Sequence, residues 1–166
     1  DNRVSKEIYN SERLNQSSHD SVIREKIILM HIIENPPLLS KYVEELGRIS
    51  FNDLKLAKLV SEIIEFGSIK LDKDLENFDF KSYLLEKGLT EEIKNIYNSD
   101  LLKTYRSVIK SDFEIVEKSF LGLLDLHKQL LEKKDLSQAF KDLEQNMDQE
   151  SYENFLRIKK ESLVKN

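Results

Sequence analysis

The sequence predicts an all-α chain: a helical bundle subdomain followed by a long helix and a C-terminal antiparallel helical hairpin. Three observations predict it. From Val22 onward apolar residues recur at helical spacing, and no strand-like alternation of useful length interrupts them. Only four glycines and two prolines occur in 166 residues, most of them at the ends of apolar stripes. Beyond Ser111 there is no proline and Gly122 is the one glycine, so the last third is free to form long helices.

Residues 1–20 are rich in Ser, Asn and charge and read as a linker or lead-in, with room for a short helix from Ser5 to Leu14. Val22, Ile23, Ile27, Met30 and Ile33 begin helix one, and Ile28, Leu29 and Ile32 widen its stripe toward a central position. Asn35-Pro36-Pro37 ends it, because the residue before proline is pushed out of the α region, and the prolines can open helix two. Gly47, Gly67 and Gly88 each follow a stripe and read as left-handed stop residues. Helix three is expected from about Asp53 to Phe66, capped by Asn52 or Asp53, with Leu54, Ala57, Val60, Ile64 and their neighbours buried. A short helix near Phe80 to Lys87 follows, then one capped by Thr90, then a stripe from Leu101 to Ile109.

Ser111-Asp112-Phe113-Glu114 has the form of a capping box. A stripe through Phe113, Val116, Phe120, Leu123, Leu124, His127, Leu130 and Leu131 follows it. A helix continuing to Met147 would be roughly 54 Å long at about 1.5 Å per residue, more than a small bundle covers, so a hinge is allowed at Lys133 to Ser137. Leu136, Phe140, Leu143 and Met147 form a thinner stripe, and Asp148 can cap a last helix carrying Tyr152, Phe155, Leu156 and Leu163. The organisation expected is a lead-in over 1–20, a bundle over 21–132 and a hairpin over 133–166. Two helices alone bury little apolar area, so the hairpin would be marginal unless something covers it.

Composition narrows the function. A net charge of −5 argues against broad phosphate binding, which needs a basic face. The absence of cysteine excludes disulfides and thiolate metal sites. The run Ile27 to Ile33, interrupted by His31, is too short to span a bilayer, and the polar start lacks a signal-like core, so a cytoplasmic location is expected. The opening Asp-Asn-Arg, with no initiator methionine, suggests a fragment whose catalytic parts, if any, lie upstream.

Chemistry is scarce. His19, His31 and His127 are far apart and lack the spacing of a helical metal pair, and His31 and His127 read as core or boundary histidines. Asp72-Lys73-Asp74-Leu75-Glu76 looks like a metal loop, but the EF-hand glycine and glutamate positions hold Asn77 and Tyr83. The isolated glycines make no phosphate loop, and no serine sits in a Gly-x-Ser-x-Gly elbow. No catalytic residue, metal ligand or cofactor is therefore assigned. Arg24 and Lys26, and separately Arg157, Lys159, Lys160 and Lys165, form modest basic clusters: solvated faces, or a docking place for an acidic peptide.

The run from Arg24 to Leu39, an apolar helix ending in Asn35-Pro36 before a leucine-bearing helix, resembles the opening of the C-terminal domain of bacterial DnaG-type primases. Phe120 to Leu131 is similar to the long helix of that domain, and Glu161 to Asn166 to its end; the likeness runs over about residues 22–166 and weakens around 68–110. The resemblance implies a non-catalytic domain of a primase, an enzyme of RNA primer synthesis, that binds the replicative hexameric helicase through the hairpin. On this sequence the hairpin anchors would be Tyr152, Phe155, Leu156, Lys160 and Leu163. It further implies capture of the acidic tail of single-stranded DNA-binding protein, with Arg24, Lys26 and Lys165 as the matching basic positions, and no direct nucleic-acid or membrane contact. The primase-interacting N-terminal domain of the helicase itself, which has a similar fold, and a small helical enzyme are the alternatives.

Overall fold

The computed structural model describes residues 19–70, 75–98, 100–146 and 149–164, and every regular element among them is a helix. In chain order these are α1 (residues 19–34), α2 (Pro37–Gly47), α3 (Leu54–Lys70), α4 (Phe80–Glu86), α5 (Thr90–Tyr97), α6 (Leu101–Ile109), α7 (Phe113–Asn146) and α8 (Gln149–Val164). The chain divides into two compact units, residues 1–123 and 124–166, with the boundary inside α7. Residues 1–18 of the lead-in, the acidic run Asp72 to Asp74, Met147, Asp148 and Lys165 lie outside the described residues, while His19 and Asp20, expected in the lead-in, already belong to α1.

In the first unit α1 is the hub. Every residue from Ile27 to Ile33 is buried, including His31, because a helix apolar around most of its girth has no face to offer water. The neutral His31 ring is satisfied at both nitrogens: Nδ1–H donates to the Ile27 carbonyl at 2.7 Å, and Nε2 accepts from the Ser119 hydroxyl of α7 at 2.9 Å. Its ring also lies 6.5 Å from Phe120 and 6.3 Å from Tyr105, between centroids. Glu34 accepts from the Tyr97 hydroxyl of α5 at 2.5 Å, and the Asn35 amide donates to the Ile109 carbonyl at 3.2 Å. Burial, then the bond to Glu34, drives the Tyr97 phenol upward in pKa.

Pro36-Pro37 turns the chain as expected, with α2 starting at Pro37. At Tyr42 the backbone leaves helical geometry (φ −127°, ψ 18°). Tyr42 reaches α7, its ring 5.7 Å from Phe120 and its hydroxyl donating to Glu117 Oε1 at 2.6 Å, while Lys41 donates to the same oxygen at 2.8 Å. Those two donors hold the Glu117 carboxyl below its ordinary range, and the bond to Glu117 raises Tyr42 to about 12.

Helix α3 starts where expected and departs from expectation at its end and in its buried face. It runs through Gly67 to Lys70, and its buried line is Leu56, Leu59, Val60, Ile63 and Phe66, not the line through Leu54. Leu54 stands 86% exposed in the first turn, while Ala57 and Ile64 flank the buried face. Gly67 is not a stop. It is buried, and a Cβ there would meet the side chains of Leu39 and Val43 at 3.0 Å, so glycine lets α2 and α3 approach. Gly47 is not the left-handed stop expected but the last helical residue of α2, followed by Arg48 at φ −89°, whereas Gly88, at φ 81°, takes the left-handed place expected of it.

The start of α3 is held from two sides. Asp53 Oδ1 accepts from the Lys55 and Leu56 amides at 2.9 and 3.0 Å, the expected cap. The buried Glu25 of α1 accepts from the Asn52 amide at 2.6 Å and the Asp53 amide at 3.2 Å. Phe66 also anchors an aromatic group with Phe78, Phe80 and Tyr83, centroids 4.6 to 5.0 Å from its own.

Two caps differ from expectation. Thr90 is the first residue of α5, and Leu89 holds the cap position without a side-chain bond. Helix α7 starts at Phe113, one residue later than a box headed by Ser111 would place it, and the Ser111 hydroxyl instead donates to the Ser107 carbonyl at 2.7 Å, finishing α6. The allowance for a hinge also falls: α7 is helical through Lys133 to Ser137 and extends 34 residues, about 51 Å. Helix formers without glycine or proline leave no cause for a break there.

A candidate protein-docking face on α8

The second unit is thinly packed. Within it Leu124, His127 and Ala139 of α7 are buried, whereas α8 has no buried residue at all. Phe140 of α7 touches Phe155 of α8 with ring centroids 5.9 Å apart. Ser151, Asn154, Phe155, Ile158 and Ser162 are half-buried, and helical spacing puts them on one side of α8.

The remaining apolar residues of α8 lie on a different side. Tyr152, Leu156 and Leu163 fall within about 40° of one another at about 100° per residue, about a third of a turn from the covered side. They are 51%, 44% and 67% exposed, and Val164 beside them is 80% exposed. The five expected anchors are thus separated. Tyr152, Leu156 and Leu163 share an outward stripe, Lys160 flanks it in solvent, and Phe155 turns toward Phe140. Phe140, read from sequence as part of an inner stripe, is itself half exposed. Spacing alone places it on a stripe; only the position of α8 decides how much of its ring is covered.

Charge along α8 is segregated. Glu150 and Glu153 occupy the first half, and Arg157, Lys159, Lys160 and Glu161 the second, all exposed, so the first half is net acidic and the second net basic. Gln149 donates to Glu153 at 3.0 Å and Arg157 to the Asn154 side-chain oxygen at 2.7 Å, both within the helix.

The other basic positions do not form one patch. Arg24 and Lys26 are half-buried on α1, about 200° apart around the helix. Burial lowers the Arg24 guanidinium pKa, partly offset by Glu25 and Asp20. Lys165 lies outside the described residues. An open groove of ≈ 760 Å³ beside the start of α3 is lined by Val22, Asn52, Leu54, Lys55, Glu91 and Lys94 among others, and carries both signs of charge.

Among the described residues no group of three or more His, Asp or Glu is arranged to hold a metal ion, and no helix is long and apolar enough to cross a membrane. No protein-family model matches the chain, and neither the curated proteins nor the solved structures include a match to it.

Proposed function

We propose that this chain is a non-catalytic, cytoplasmic docking domain, and that it joins a DnaG-type primase to its replicative hexameric helicase. In this reading the first unit is a helical bundle, and the end of α7 with α8 is an antiparallel hairpin that meets the helicase. The observation that carries the docking part is the α8 stripe: Tyr152, Leu156 and Leu163 aligned and exposed on a helix that buries none of its own residues. Exposed large apolar groups in line are a costly surface unless another protein covers them. The choice of helicase as partner rests on the likeness of Arg24 to Leu39, Phe120 to Leu131 and Glu161 to Asn166 to the primase domain.

Titration calorimetry of the chain against the N-terminal domains of the cognate helicase tests this reading. Binding at micromolar concentration or tighter is expected. Leu156→Asp should weaken it about 30-fold, the equivalent of a 2 kcal/mol hot spot. Absence of binding at tens of micromolar overturns the helicase assignment.

A further inference from the structure

We infer that the exposed stripe of α8 also pairs, antiparallel and about a two-fold axis, with the same stripe of a second copy of this chain. The inference stands on the α8 face itself, so it survives a failure to bind helicase, just as a monomeric chain would leave the helicase reading intact.

Two features of α8 select a second copy as occupant. The first is the order of its charges: the first half is acidic at Glu150 and Glu153, and the second, with Arg157, Lys159 and Lys160 against Glu161, is net basic. Opposed to itself in the antiparallel sense, such a helix sets each acidic half against a basic half, whereas a parallel pairing sets like against like. The second is register. A two-fold axis that brings Tyr152 level with Leu163 of the partner copy brings Leu156 level with its Lys159, whose stem can lie along the stripe. The same axis brings Glu153 two residues, about 3 Å, from level with Lys160 of that copy, a gap that the two long side chains can span. Glu153 and Lys160 lie within about 20° of each other around the helix, on the flank away from Phe155. A two-fold axis across an antiparallel pair keeps a flank on its own side, so the Glu153–Lys160 pair forms twice. The covered side, with Phe155 against Phe140, stays clear of the pairing.

The contact is small. A helix of 16 residues is about 24 Å long, and one stripe of that length falls short of the roughly 1,200 Å² of a stable interface. Self-association is therefore weak, with a dissociation constant of roughly 100 µM. It covers the stripe that a partner needs, so concentrated chain withholds its docking face until a tighter partner competes.

Charge reversal with rescue tests the geometry. Sedimentation velocity of the whole chain from low micromolar to millimolar concentration should show a monomer–dimer equilibrium. Glu153→Lys alone and Lys160→Glu alone should each weaken dimerisation about tenfold, because each turns two attractive pairs into two repulsive ones. An equimolar mixture of the two variants restores both pairs and should dimerise like the unaltered chain. Circular dichroism confirms that both exposed substitutions leave the helices folded. A chain that stays monomeric at millimolar concentration overturns the inference. So does a dimer indifferent to both reversals, or a mixture that fails to recover.

Discussion

Gly67 shows how one missing carbon can decide the approach of two helices. In a helix interior Gly→Ala is ordinarily stabilising by about 1 kcal/mol. At Gly67 the new methyl would press on Leu39 and Val43 at 3.0 Å, so Gly67→Ala should instead cost about 1–3 kcal/mol in urea denaturation. Gly122→Ala is the control: nothing lies within 4 Å of its Cβ position on exposed α7, and stability should rise by about 1 kcal/mol. His31 makes a second prediction at this scale. Burial lowers its pKa below the ordinary 6.5, so the unfolded chain takes up a proton first. Its contribution is complete above pH 6.5 and declines as pH falls through 6.5 toward the lower folded value. Denaturation at pH 7.5 and 5.5 should show this loss, and His31→Gln, less stable throughout, should lose that part of the slope. Helical periodicity made the burial of His31 legible; its partner Ser119, 88 residues away, was not, because a hydroxyl on a helix carries no mark of the ring it meets.

The helix is the scale at which sequence spoke most clearly. Pro36-Pro37, Asp53 and Gly88 act where local rules place them, since each works through its own backbone or its nearest amides. Local rules misplaced the caps at Thr90 and Ser111, and elsewhere a distant element supplied the deciding group, as Leu39 and Val43 do at Gly67. Glu25 adds to the start of α3 a carboxylate from a different helix, which no local motif announces. Glu25→Ala removes a buried charged acceptor and leaves the Asn52 and Asp53 amides short of a partner, so stability should fall by about 2–3 kcal/mol. Amide exchange should quicken first at the beginning of α3. Uniform exchange across all helices would show that the carboxylate has no local capping role.

Stability and recognition separate at the scale of the molecule. Leu156→Asp changes an exposed residue of α8, so the thermal midpoint should move by no more than about 2 °C, on the usual ±0.5 kcal/mol for surface changes. Phe120→Ala, at the fully buried meeting of α7 with His31 and Tyr42, should cost about 3–5 kcal/mol and broaden or abolish the transition. A comparable loss from Leu156→Asp would mean that the stripe serves folding, and the docking proposal would fall with it.

The all-helical class and the greasy character of α1 were determined by the sequence alone, because the 3.6-residue period and the positions of proline are properties of the chain itself. The same period put Tyr152, Phe155, Leu156 and Leu163 on one last helix. Tertiary structure decided which of them stay outside: Phe155 finds Phe140, and the stripe about a third of a turn from the covered side finds nothing in α7 to cover it. Exposure is a relation between surfaces from different parts of the chain, and a repeat read along one helix holds no information about where its partner ends.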